Sequence, residues 1–210
     1  MWQATLAMPK VSFRNAHNAL LLHFGQPRQG ASTLDDLNDL RLFAAFSVHF
    51  RTDDRWRQMI HRLKYRGEWR LGVMFGQMYG ADLKASHLYD DVDIVVPVPL
   101  HLFKYLKRRY NQSEYIARGI ASQLGVKVDR TTLYRRRNNP SQTLQHATDR
   151  WANVDDIFAV RHPERLRGKH VLLVDDVLTT GATLASCIRA IYAAAPDCKV
   201  SVVTLAVAGT

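Results

Sequence analysis

Val171-Leu172-Leu173-Val174-Asp175-Asp176-Val177-Leu178-Thr179-Thr180-Gly181-Ala182-Thr183 is the stretch that decides the fold. Its first four residues, all apolar, read as a short strand buried on both faces, the kind found in parallel sheets. Two acids follow at its carboxyl end, and then a loop of small and hydroxyl residues with one glycine. Leu184, Ile188 and Ile191 recur at helical spacing, which predicts a helix starting near Ala182. The first N–H groups of a helix have no intrahelical partner, and the helix dipole favours an anion there. Gly181 lets the backbone approach closely, while Thr179, Thr180 and Thr183 add hydroxyl donors. Asp175 and Asp176 repel a phosphate but accept well from vicinal sugar hydroxyls. A sugar 5-phosphate fits this pattern.

A nucleotide-triphosphate loop is excluded, because it needs Gly-Lys-Ser/Thr and Gly181 is followed by Ala182. A phospho-receiver domain carries paired acids on its first strand, which is not the place they hold here. A second strand–loop–helix pattern lies at Asp93-Ile94-Val95-Val96-Pro97-Val98-Pro99-Leu100-His101. An apolar strand runs into two prolines, which end the ladder and tighten the turn. Lys104, Lys107, Arg108 and Arg109 then form a basic cluster, and Asn111 with Glu114 has the spacing of a capping box. Ile116, Ile120 and Leu124 supply the core stripe of the helix that follows. In open parallel α/β sheets ligands bind at the carboxyl ends of the strands, where the strand order switches. The fold class is therefore α/β, a mostly parallel twisted sheet flanked by helices.

The rest of the chain is read more coarsely. Residues 1–40 carry weak patterning, and residues 42–50 suit an edge strand. Met59, Ile60 and Leu63 predict a helix over 55–65 that stops at Gly67, and Leu71, Phe75 and Met78 predict another reaching Lys84. These two helices are expected to be a packing layer, with Lys64, Arg66 and Arg70 solvated; that these three face the ligand is the alternative. Short strands are expected at 126–128, 133–136 and 157–160, a polar loop at 138–143, a helix at 144–154 bearing Arg150 and Asn153, and a last strand at 200–207.

With 47% hydrophobic residues among 210, the chain can bury a real core. No apolar run approaches the roughly 20 residues of a membrane helix, and residues 1–10 lack a secretion core, so a cytoplasmic location is expected and no membrane partner. Two cysteines, Cys187 and Cys198, are too few for a disulfide framework, and nine scattered histidines predict no structural metal. Lys plus Arg (29) exceeds Asp plus Glu (19), a net charge of +10 that predicts an anionic partner. Single-stranded DNA is one candidate besides a phosphorylated substrate.

Residues 171–183 resemble the phosphoribosyl pyrophosphate (PRPP) motif of type I phosphoribosyltransferases. That resemblance implies that Asp175 and Asp176 hold the ribose hydroxyls and that Thr179, Thr180, Gly181, Ala182 and Thr183 cradle the 5-phosphate. It makes Val98, Pro99, Leu100 and His101 the pyrophosphate loop, with Arg108 and Arg109 as charge partners. Val-Pro-Val-Pro is most similar to the amidophosphoribosyltransferases, whose acid after the proline is Leu100 here. Arg137, Ser141 and Gln142 would lie on a flexible lid that excludes water. Mg²⁺ is the implied cofactor, held mainly through ligand oxygens.

Along residues 55–210 the chain resembles the ComF (competence protein F, GntX-like) family. The matching pieces are Ile60-His61-Arg62-Leu63-Lys64-Tyr65-Arg66-Gly67, Val96-Pro97-Val98-Pro99-Leu100-His101, Tyr110-Asn111-Gln112-Ser113-Glu114, Asn139-Pro140-Ser141-Gln142-Thr143 and Arg150-Trp151-Ala152-Asn153-Val154. Members typically begin with a cysteine-rich zinc ribbon. No cysteine precedes Cys187, so residues 1–54 are expected to be an appendage in which that ribbon is absent or truncated. The family is linked to DNA uptake or utilisation. The expected function is transfer of phosphoribosyl from PRPP to a nitrogen acceptor with release of pyrophosphate. The alternative is a non-catalytic PRPP-binding protein acting in competence. Glutamine-dependent chemistry is not expected, since the amino-terminal cysteine nucleophile of that reaction is missing. A homodimer is the common assembly of similar proteins.

Overall fold

The computed structural model describes residues 23–24, 48–49, 54–136, 157–178 and 181–207. Its central strand is β7, His170–Leu178, flanked on both sides by parallel neighbours: β3, Ile94–Pro97, and β8, Lys199–Val207. Val171, Leu172, Leu173 and Val174 are all 0% exposed, because successive strand side chains point to opposite faces and both faces are covered. Val171 and Leu173 lie in one core with Ile188 and Ile191 of α5, Ala182–Ala194. Leu172 and Val174 lie in the other core, with Leu63 of α1, Asp54–Tyr65, Phe75 of α2, Trp69–Ser86, and Ile116 of α4, Gln112–Leu124.

The sheet order is β1-β8-β7-β3-β4, with β1 at His23–Phe24, β4 at Lys127–Val128, and β2, Val48–His49, also pairing with β8. β3, β4, β7, β8 and β2 are parallel to their neighbours, and β1 runs antiparallel to β8. From β3 the chain crosses through α4 to β4; from β7 it crosses through α5 to β8 on the other side. Two crossovers of the same right hand, leaving in opposite directions, place their helices on opposite faces of the sheet. The strand order therefore switches between β3 and β7. A two-stranded antiparallel sheet, β5 (Leu133–Arg135) with β6 (Phe158–Val160), covers part of the α5 side.

Two elements differ from the sequence-based expectation. β7 does not stop at the acids but runs four residues past Val174, because β8 continues beside it: Asp175 pairs with Thr204, and Leu178 with Val207. The basic cluster after the prolines is not a loop. It forms a short helix, α3 (Leu102–Arg108), with no buried residue. The predicted helix at 144–154 lies outside the described residues.

At the amino edge of the sheet, His170 is fastened on both ring nitrogens. Nδ1 lies 2.8 Å from Asp91 Oδ1 and Nε2 lies 2.8 Å from Ser201 Oγ, while Lys199 Nζ is 2.6 Å from Asp91 Oδ2. The Ser–His–Asp order is that of a hydrolase triad, but Ser201 is 0% exposed, so no substrate reaches it. It locks β7 to β8.

The face that supports the site rests on glycine. α2 carries Gly72, Gly76 and Gly80 four residues apart, one above another on the side facing α4. A Cβ at Gly76 would meet the Ile116 carbonyl oxygen at 2.1 Å, and one at Gly119 of α4 would meet the Val73 carbonyl oxygen at 2.3 Å. The two backbones are in contact, and nothing larger than hydrogen fits between them. Gly76→Ala must push α2 off α4. The expected cost is about 1–3 kcal/mol, as for other overpacked cores, read as a lower urea midpoint with an unchanged m-value.

Candidate functional site

The carboxyl ends of β3 and β7 lie side by side. Pro97 pairs with Val174, and the Val98 N–H donates to the Val174 carbonyl at 2.8 Å. The 98–101 loop and the acid pair, 74 or more positions apart in sequence, thus meet at the switch point.

α4 points its N-terminus at both. Asn111 is its N-cap: Oδ1 accepts from the Ser113 N–H at 3.2 Å, and Nδ2 donates to the Val98 carbonyl at 2.9 Å. Ser113 Oγ donates to Asp175 Oδ1 at 3.0 Å, which also accepts from the Asp176 N–H at 2.8 Å. The predicted capping box forms only in half. Glu114 does not reach back to Asn111; its Oε1 binds Arg118 at 2.6 Å and Arg130 at 3.1 Å, a pull stronger than that of a neutral N–H.

Asp176 points to the opposite face from Asp175, as alternation along a strand requires. There Lys64 Nζ lies 3.2 Å from Asp176 Oδ2. Lys64 was expected to be solvated, with a ligand-facing place as the alternative. The sequence could not fix it here, because only the tertiary packing, with the Leu63 carbonyl held by the Tyr110 hydroxyl, brings the end of α1 to the end of β7.

The other predicted residues divide. Gly181 caps α5 in the left-handed conformation, φ 78°, with no side-chain cap for the helix N–H groups; Thr183 sits exposed in the first turn. His101 caps α3, its Nδ1 accepting from the Phe103 N–H at 3.2 Å, so that nitrogen is committed to the helix. Arg108 lies over the Tyr65 ring, 5.1 Å from its centre, and Arg109 is exposed at φ 63°. Thr179, Thr180, Arg137, Ser141 and Gln142 lie outside the described residues. Sequence reasoning missed Ser113, although its segment carried a family resemblance, and gave Asn111 only a capping role.

Burial raises the Asp175 carboxyl, the neighbouring Asp176 charge raises it further, and the Asp176 N–H, Ser113 and Lys64 only partly oppose them; the result is about 7 against an ordinary 3.8. A folded-state value above the unfolded one contributes stability that is fully present below pH 3.8 and is lost as the pH rises through about 7. Asp175→Asn removes that loss and keeps an acceptor for Ser113. Its melting temperature should exceed that of the unmodified protein by a margin that widens from pH 4 to pH 8, as circular dichroism melts would record.

The chain resembles known proteins in this region. Residues 111–209 match the phosphoribosyl transferase domain family, a span that holds the α4 N-terminus, the acid pair and α5. DNA utilization protein YhgH of Salmonella typhi is 36% identical over 130 residues, 60% of this chain and 56% of that protein. Competence protein F of Haemophilus influenzae is 28% identical over 130 residues, 60% and 57% of the two chains. Competence protein ComFC of Bacillus subtilis is 28% identical over 156 residues, 73% and 60%. This chain spans somewhat more than half the length of these relatives. Residues 111–209 thus carry a phosphoribosyl transferase domain built on a parallel α/β sheet, and the chain is similar to the competence and DNA-utilization proteins of the ComF type.

Proposed function

We propose that the chain binds PRPP with Mg²⁺ and transfers its phosphoribosyl group to a nitrogen acceptor. The observation that carries this reading is the meeting of the two loops at the switch point: an acid pair on one strand end, a proline-bounded loop on the next, and one helix N-terminus bonded to both. A nitrogen lone pair attacks C1 of the ribose, the bond from C1 to the pyrophosphate oxygen breaks with its electrons, and the acceptor nitrogen loses a proton to solvent.

Asp175 and Asp176 accept hydrogen bonds from the two ribose hydroxyls and fix C1 in line. Residues 179–183 hold the 5-phosphate at the start of α5, where the N-cap residue, Gly181, has no side chain of its own to fill the position. The 98–101 loop takes the leaving pyrophosphate, with Arg108 and Arg109 as nearby charge and the α4 N-terminus behind it; such preorganised donors act mainly by electrostatics. Gln112, 1% exposed beside this loop, keeps an amide nitrogen without a hydrogen-bond partner. Arg137, Ser141 and Gln142 are assigned to a lid that excludes water. Among the described residues no three His, Cys, Asp or Glu side chains converge as a metal site. Mg²⁺ would be held mainly through oxygens of the bound PRPP, with few protein ligands. When bound, it neutralises pyrophosphate charge.

A non-catalytic PRPP-binding role in DNA uptake is the second reading, favoured by the names of the relatives and by the net charge of +10. Among the described residues no helix is long and apolar enough to cross a membrane.

Calorimetric titration with PRPP and Mg²⁺, followed by a pyrophosphate-release screen over bases and amines, separates the readings. Binding with release is expected, and Asp175→Asn combined with Asp176→Asn should abolish binding while circular dichroism stays unchanged. Undiminished affinity in that variant would remove the assignment. Under the second reading PRPP binds without release, and single-stranded DNA binds with an affinity that falls steeply as salt rises; no DNA binding at low ionic strength would remove it.

A further inference from the structure

Lys64 stands beside the acid pair with no part in the reaction described so far. Its Nζ is 3.2 Å from Asp176 Oδ2, and the two side chains are only 21% and 16% exposed. A surface lysine usually swings freely, but the chain on both sides of this one is fastened. The Leu63 side chain is fully buried and its carbonyl accepts from the Tyr110 hydroxyl. Tyr65 lies under the Arg108 guanidinium. One residue further on, Arg66 N–H closes the last turn on the Arg62 carbonyl at 2.9 Å, and Arg62 grips Glu68 through two contacts, 2.8 and 2.7 Å, across the turn at Gly67.

Those anchors share one origin. Arg108 and Tyr110 belong to the segment that leads from the 98–101 loop into α4, and the next residues, Asn111 and Ser113, hold the Val98 carbonyl and Asp175. The end of α1 is thereby tied to the same short segment as the pyrophosphate loop and the first acid. Lys64 closes the circuit on the second acid.

We propose that Lys64 is a positioning residue of the PRPP site: its ammonium group orients the Asp176 carboxylate to accept a ribose hydroxyl. The inference rests on the PRPP reading above. Two adjacent carboxylates oppose each other's ionisation, and a protonated acid donates to a hydroxyl oxygen instead of accepting from it. Among the described residues, the other groups facing the pair are the Ser113 hydroxyl from α4 and the Cys187 thiol from α5, with the Arg135 guanidinium of β5 beyond the thiol. Of these, Lys64 alone puts a cation against Asp176.

The test uses the full chain and its Lys64→Met and Lys64→Arg variants, titrated with PRPP and Mg²⁺ from about pH 5.5 to about pH 8.5. Lys64→Met should bind about tenfold more weakly at neutral pH, with the pH midpoint of binding moved up by about one unit. Lys64→Arg should recover most of the loss, which a merely structural lysine would not predict. Equal affinity and an unmoved midpoint in Lys64→Met would overturn the proposal. Should the unmodified protein itself fail to bind PRPP, the PRPP reading falls separately. Carbon-13 titration of the aspartate carboxyls then decides the role of Lys64: an upward shift of the pair in Lys64→Met supports it, and no shift overturns it. Lys64→Gln replaces Lys64→Met in every arm if the latter does not fold.

Discussion

Two carboxylates on successive residues of a strand buried on both faces are the constraint on which the rest of this structure depends. Neither charge is well hydrated there, and each raises the cost of the other. A strand sends neighbouring side chains to opposite faces, so no single group can satisfy both. The chain meets the problem with two separate partners: Ser113 and the backbone N–H of Asp176 for Asp175, and Lys64 for Asp176. Asp175 remains poised near neutrality even so. Uncompensated charge of this kind costs stability, and it is the arrangement expected where a polyhydroxylated ligand is to complete the set.

The contrast with Asp129 is instructive. That residue, just past β4, is buried, and burial again raises its carboxyl. Here four bonds from Thr131 and Thr132, backbone and side chain, outweigh it and hold the group down at about 2. An acid whose lone pairs are filled by its own turn is structural. Asp175, filled only in part and beside a second acid, is free to take another donor.

Partners for the acids are useful only if the helices that carry them arrive in the right place. The Gly72, Gly76, Gly80 and Gly119 contacts let α2 and α4 touch backbone to backbone, which sets how deep α4 sits on the sheet and where its N-terminus points. From there Asn111 reaches the Val98 carbonyl, Ser113 reaches Asp175, and Tyr110 reaches the end of α1. The same packing therefore supports the proline-bounded loop, both acids and the lysine.

Local patterns along the sequence determined the elements that need only their own residues. Residues 171–174 and 94–96 are apolar throughout and had to be buried strands; Leu184, Ile188 and Ile191 had to face a core; the acids and Gly181 together resembled a phosphoribosyl motif. Where an element ends against a neighbour, the sequence was silent. β7 runs on through its acids because β8 continues to offer hydrogen bonds, and Glu114 leaves its cap for two arginines, one of them sixteen residues away. The glycines at 72, 76 and 80 had a regular spacing that could have been read as a packing face, but spacing does not say which helix packs there. Only the tertiary structure brought Lys64 to Asp176, more than a hundred residues along the chain. The reason is physical: pattern reports which side of an element is dry, whereas a salt bridge between two elements depends on the angle and depth at which they dock.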